Sequence, residues 1–418
     1  MTTDPTMPSL AAKVSAFLTL RRLLTAAVSA GFLTGLLGLL WGSPGVESVD
    51  HWTGDLRARL QARHLVSEHP RLALVTIDED LMLNETVRSP LNREMVARIV
   101  AAVAAAKPAA IGLDFIFDHA SQPTERLAAN IRQAVQAGVP VIMGTLHADW
   151  HKMRPLPTER LAAQQALLAQ AGNPPTGHLY LREERDGIVR ARSVPPKGVA
   201  DQPSFAAVVA AAGGAPAVSL DRMKAPGTAL RIDWLGKPRD SSVGPFVQIP
   251  AAQIIDGVAP ETARLLAGRV VLIGADLIGM DQHRTPLTGP EETVPGVMVH
   301  AHVAAQILDN RHFRLVPASV ALGLTFLAAI VGVLLGWGWP KAGLLTGAAL
   351  LLPYFMLDWA LVKVLGVVVP FIAPLLSWGG GIMIGEALQM FESLPGKVSR
   401  AKRRIGSWRD GGRDGGAA

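Results

Sequence analysis

The feature that most restricts this chain is a set of uncharged apolar runs long enough to cross a bilayer. Residues 23–41 form a run of 19 residues without a charge, which as a helix spans about 28 Å, close to the hydrocarbon thickness of a membrane. Residues 316–339 form a second uncharged run, 24 residues long, ending in the Trp337 and Trp339 pair suited to a membrane interface. Two more follow at 342–362, which includes Asp358 and Trp359, and at 364–385, with prolines at 353, 370 and 374. The pattern predicts four membrane helices, at 23–41, 316–339, 342–362 and 364–385. The division of the last two rests on residues 358–363, and one long bent or re-entrant segment is the alternative. A cleaved signal peptide is the alternative for the first run. Its length exceeds the about 7–15 residues of a signal core and no small-x-small site follows Trp41, which favours an uncleaved anchor.

Charge sets the orientation. Of 40 Lys and Arg and 34 Asp and Glu in the 418 residues, 28 of each sign fall in residues 42–314, so the net +6 belongs wholly to the flanks. The tail 1–22 carries Lys13, Arg21 and Arg22, the tail 386–418 carries seven Lys and Arg from Lys397 to Arg413, and Lys341 lies in the turn between two runs. Positive residues stay inside, so both tails are expected in the cytoplasm and residues 42–315 outside, in the periplasm of a bacterial inner-membrane protein. The absence of cysteine excludes a disulfide scaffold and thiol catalysis and suits an oxidising compartment. The basic tail fits anionic lipid rather than nucleic acid, since Trp408 is its one aromatic after Lys397.

The neutral block reads as α/β. Residues 72–77 form a short apolar strand. After Asn92, a helix N-cap, Met95, Ile99, Val100 and Val103 recur at helical spacing until Lys107-Pro108 ends the element. Strands at 109–117 and 139–145 enclose a helix at 125–137, an alternation that predicts a mostly parallel sheet with flanking helices. Further on, residues 178–181 and 188–193 suggest an edge hairpin, 204–212 and 297–308 helices, and 230–235 and 269–273 strands.

Taken together, residues 72–80, 92–118, 268–289 and 294–308, in that order, with one apolar run before and three after, resemble the type-two CHASE domain. The name denotes a cyclase and histidine-kinase associated sensory extracellular domain. The resemblance covers essentially the whole central block. It places the family's strand-end aspartates on Asp78 and Asp114, its DxxF phenylalanine on Phe117, its glycine turn on Gly274, its following aspartate on Asp281, its Thr-Pro pair on Thr285-Pro286, and its Gly-Val and His-Ala pairs on Gly296-Val297 and His300-Ala301. The sequence departs from the family at Ser89-Pro90-Leu91-Asn92-Arg93, which lacks the usual tryptophan, and at His302, where a small polar residue is more common.

Asp78, Asp114, Asp281, Thr285 and His300 are therefore the candidate ligand-binding residues. Asp78 and Asp114 end strands that flank one crossover, which allows either a shared cation site or separate loop-capping roles. Gly274 to Gly279 has the spacing G-x-x-x-x-G without a middle glycine or a following helix, so it reads as a loop pinned by Asp281 and Thr285 rather than a nucleotide cradle. His300 and His302, two apart, fall on different helix faces and form no metal pair. His147 and His151 beside Trp150 could form a pH-responsive cluster. With no nucleophile elbow, no metal motif and no cofactor motif, the chain is expected to be no enzyme, with no metal and no cofactor.

The resemblance implies a sensor whose outer domain takes an unknown small-molecule or protein ligand. The short tail after residue 385, with Pro395-Gly396 expected to break any helix, leads to the expectation of a stand-alone sensor that signals through its membrane helices to a separate cytoplasmic or membrane effector. The alternative is a structural or scaffolding envelope protein that binds another protein.

Overall fold

Six short segments become strands of one sheet, the central ones apolar because helices cover both faces. In the computed structural model, which describes residues 18–40, 43–83, 85, 87–120, 122–146, 157–192, 202–224, 231–238, 244–369 and 371–411, these are β1 (Leu72–Ile77), β2 (Ala110–Asp114), β3 (Val141–Thr145), β4 (Thr176–His178), β5 (Val247–Pro250) and β6 (Val270–Ala275). All neighbours are parallel, in the order β4-β3-β2-β6-β1-β5. The residues of β1, β2 and β3 are buried throughout, as a parallel sheet sandwiched by helices requires.

Helices α1 (Arg93–Ala105), α2 (Glu125–Gln136) and α3 (Thr158–Gln170) cover one face, joined by the short α5 (Pro260–Leu266). Helices α4 (Phe205–Ala212) and α6 (Gly296–Leu308) cover the other. Asn92 caps α1 as expected, its side chain accepting from the Glu94 and Met95 amides at 3.0 and 3.4 Å. All thirteen residues of α6 are buried, which makes it the central helix of its face. The Arg71 guanidinium donates to the carbonyls of Leu308 at 3.0 Å and Gly213 at 2.8 Å, so one cation satisfies the C-terminal ends of both α6 and α4.

The expected alternation of the first three strands and two helices is present. The edge hairpin is not: the turn at 184–187 forms, with Gly187 N–H donating to Glu184, but Ile188 bridges to Arg284 in parallel and His178 belongs to a parallel edge strand. Burial favours the covered sheet over an isolated ribbon. Of the expected 230–235 strand, residue 230 lies outside the described residues, Arg231 makes an isolated bridge to Ala191, and Leu235–Gly236 form a strand paired in parallel with Arg63–His64.

The chain divides into two units, Asp55–Arg314, just described, and Met1–Gly54 with Leu315–Ala418. The second is built on the helices Leu20–Leu40, Ala318–Gly338, Pro340–Leu365 and Ile372–Gly411. Among the described residues two of them, Leu20–Leu40 and Ala318–Gly338, are long and apolar enough to cross a membrane, rather than the four expected. The third run, with Asp358, lies inside one continuous helix, Pro340–Leu365, that also carries Lys363 in its last turn. The fourth is shortened, because Val364 and Leu365 finish the preceding helix, Gly366 ends it at φ 63° and Val367–Val368 are extended. What remains apolar, residues 372–385, spans only about 21 Å as helix. The break thus falls at 366–371 and not at 358–363. Asp358 is buried within the helix unit instead of reaching an interface.

Glycines bring two of these helices into backbone contact. A Cβ on Gly332 would lie 2.3 Å from the Trp378 carbonyl oxygen, and one on Gly336 2.2 Å from that of Ile382. Reciprocally, one on Gly385 would lie 2.2 Å from the Val333 oxygen. The spacings 332/336 and 381/385 are the small-xxx-small pattern that lets helices pack without side chains between them. Glu392 ties the same end together, accepting from Trp337 Nε1 at 3.0 Å and from Arg22 at 3.1 Å. Contrary to expectation, Pro395 does not end the last helix, which continues to Gly411. A proline removes one donor and bends a helix without always terminating it.

Candidate functional site

Two central strands leave the sheet in opposite directions. After β2 the chain passes to the α1–α3 face, where Phe115 and Phe117 join the core. After β6 it returns through a loop to α6 on the other face. Divergent exits of this kind mark the point, at the carboxyl ends of the strands, where open α/β sheets usually take a ligand in a crevice. Asp114 and Gly274 are register partners at its floor.

Asp114, the last residue of β2, is 8% exposed. Its carboxyl faces His300 Nε2 at 3.8 Å, beyond hydrogen-bond reach, and makes no hydrogen bond among the described residues. His300, on α6, is buried edge-to-face against Phe205 with 5.4 Å between ring centroids. Asp281, in the loop after β6, accepts from His283 Nε2 at 3.0 Å, while His283 Nδ1 reaches Glu183 at 2.9 Å. The Asp281 carboxylate lies so close over the start of α6 that a Cβ on Gly296 would sit 2.1 Å from its Oδ2. Only glycine admits it there.

Burial, and then the neighbouring Asp281 charge, hold the Asp114 carboxyl well above the ordinary carboxylate range. Burial likewise lowers His300 to about 4, against the opposing pull of Asp281. Asp281 itself is lowered despite its burial, through the hydrogen bond and charge of His283. His283 is raised in turn, because the bonds and charges of Asp281 and Glu183 outweigh its own desolvation. Burial thus favours the uncharged forms of Asp114 and His300, while the Asp281–His283 pair beside them holds each other's charged form.

Three of the five expected residues converge, Asp114, Asp281 and His300. Asp78 does not. β6 inserts between β1 and β2, two strand spacings or about 10 Å separating their ends, and the Asp78 carboxylate caps the short helix Glu79–Met82 by accepting from the Leu81 amide at 3.1 Å. Thr285 also serves the backbone, its Oγ1 accepting from Leu287 N–H at 3.3 Å and its amide donating to Thr288 Oγ1 at 3.0 Å. The loop at 274–279 is held by a Leu277–Met280 bridge and by the Asp276 amide, which donates to the Ile77 carbonyl at 2.8 Å. His302 points away from His300, between Trp234 and Phe246 at 4.9 and 5.0 Å. His147, Trp150 and His151 lie outside the described residues.

His283 and Glu183 were not anticipated. The sequence signal was present in His283, two residues after Asp281, but Glu183 comes from the loop after β4 and only the fold brings it near. A further connection runs out of the loop. Arg59, on the helix Pro44–Gln61, donates to the carbonyls of Pro286 at 2.6 Å and Thr288 at 3.0 Å. On the same helix, Asp55 accepts both Nε and a terminal nitrogen of buried Arg190 at 2.7 Å, and Arg190 also holds Glu184 and Asp186.

Sheet and helices together define a parallel α/β domain, carried on a chain with two membrane-length helices among the described residues. The family model of the CHASE2 domain matches residues 30–337. The chain belongs to this family of sensory extracellular domains. No curated protein and no solved structure matches it.

Proposed function

We propose that the protein is a multi-pass sensor of the bacterial inner membrane. The α/β domain lies outside, binds a ligand in the crevice between β2 and β6, and passes the signal through the apolar helices to a separate effector. The observation that carries this reading is the buried Asp114 carboxyl of a CHASE2-family domain, which makes no hydrogen bond among the described residues and has the His300 ring 3.8 Å away. A carboxyl kept in such a place is costly unless something binds there. The site offers proton-bearing and ionised groups but no arranged nucleophile, which favours binding over catalysis. The basic flanks support cytoplasmic tails for two crossings or four, since either number returns both ends to one side.

The route out of the domain is the contact of Arg59 with the loop that carries Asp281. Movement of that loop acts directly on the helix Pro44–Gln61, the next described helix in the sequence after the first apolar one. Two measurements test the proposal. A phosphatase fused after Gly214 is expected to be active, and an inactive fusion overturns the orientation. Crosslinking in native membranes is expected to capture an effector whose recovery changes when Asp114 and Asp281 are both replaced by asparagine. Recovery unaffected by the double substitution overturns the sensory role of the crevice.

A further inference from the structure

The crevice has a definite charge character. The ionisable groups facing it are Asp114 from β2, Asp281 and His283 from the loop after β6, His300 from α6 and Glu183 from the loop after β4. Three are carboxyl groups and two are imidazoles. His283 is already engaged on both ring nitrogens by Asp281 and Glu183. The charges acting on Asp114 and His300 come from Asp281 and His283, with no arginine or lysine among them. One carboxyl, Asp114, is left without a hydrogen bond, its side chain 3% exposed and directed at His300 across 3.8 Å.

From this geometry we infer that the crevice recognises an organic cation, an ammonium or guanidinium group seated between Asp114 and Asp281 with His300 beside it. The inference rests on the reading of the crevice as a ligand site and adds the class of ligand. Among the described residues no arginine or lysine charge acts on Asp114 or His300, so an anion seated there would meet Asp281 and Glu183 without an opposing cation. A bare metal ion suits the site less well, because among the described residues the ligand atoms of Asp114, Asp281 and His300 do not gather within 4.8 Å of one another, whereas a metal needs them converged at about 2–2.6 Å from one point. A donor-bearing cation spans that spread. Asp114 gives up its proton to solvent as the cation arrives, so binding tightens as pH rises and weakens as it falls.

The test uses the full chain in lipid nanodiscs with methylammonium and guanidinium as probes, acetate as the anion and Mg²⁺ as the metal, read by calorimetry at pH 6 and pH 8. A saturable response to either organic cation is expected, stronger at pH 8, and reduced about tenfold or more by Asp114→Asn, as befits loss of a charge-assisted bond. Asp281→Asn is expected to weaken it also, and hydrogen exchange over α6 confirms that each variant is folded. Preferential binding of acetate or Mg²⁺ that is lost in Asp114→Asn overturns the organic-cation assignment while leaving the crevice a ligand site. Binding identical in wild type and both variants, or no binding of any probe, overturns the site itself.

Discussion

His302 gives a quantitative handle on the α/β domain. Its ring lies between Trp234 and Phe246, accepts from the Leu235 amide at 3.2 Å, and is completely enclosed. Burial, followed by the positive charges of Arg311 and His69, lowers its pKa to about 3, against about 6.5 in an unfolded chain. A histidine lowered on folding contributes stability that is complete above its unfolded value and is lost as pH falls towards the folded value. Between pH 7 and pH 5 the unfolded chain gains a proton that the fold refuses, at a cost of about 2 kcal/mol for this one side chain. His300, lowered to about 4, adds a similar loss, whereas Asp114, held protonated, works in the opposite sense. The wild-type slope is therefore mixed, and a single substitution must isolate the term. In His302→Asn the amide oxygen replaces the Nδ1 acceptor, and the titration is gone. The variant is expected to be less stable at pH 7 by about 1–3 kcal/mol, for the lost packing. Its further loss on going to pH 5 should be smaller than the wild type's by about 2 kcal/mol, or some 30-fold in protection. Hydrogen exchange of the Gly296–Leu308 amides, corrected for intrinsic rates, measures both. Equal pH dependence in the two proteins would show that His302 is not held neutral.

Other contacts carry their own expectations. Arg190→Met leaves Asp55, Glu184 and Asp186 without their shared cation, and urea unfolding should show a loss approaching the about 3–5 kcal/mol of a broken buried pair, moderated by the 41% exposure of Asp186. Arg59→Ala removes two bonds to the loop and should raise hydrogen exchange over residues 281–288 while leaving β1 to β3 protected, a local change of about 1–3 kcal/mol. Gly336→Val forces apart helices whose backbones touch, and a lower thermal midpoint in detergent, from about 1–3 kcal/mol of overpacking, is the expected result; an unchanged midpoint refutes the close crossing.

Local pattern was enough for the strands and helices of the first half of the domain, because 72–77, 109–117 and 139–145 are continuous apolar runs and Asn92 announces a helix. It failed where pairing is non-local. Nothing near Val270 states that β6 enters between β1 and β2, and that insertion separates Asp78 from Asp114. β5, with Gln248 inside a four-residue edge strand, has too little apolar character to declare itself. In the site, Asp114, Asp281 and His300 were legible through family resemblance, whereas Glu183 and Arg59 reach the crevice and its loop only through tertiary contact. The helices of the other unit were visible as apolar length, but their boundaries depended on Gly366 and on a proline, Pro395, that does not end its helix.

The position of β6 has a consequence for how the domain is made. β6 fills the middle of the sheet, yet it is the last of the six strands to be synthesised, pairing Leu72 with Val270 and Ala110 with the same residue. Until residues 270–275 have been synthesised, β1 and β2 each present an open edge, with nearly two hundred residues of chain between Leu72 and Val270. Such long loop closures are slow, and bare edges are prone to wrong pairing. The sheet is therefore completed only when its final strand has been made, and α6, next in the chain, then packs on that strand to seal the face.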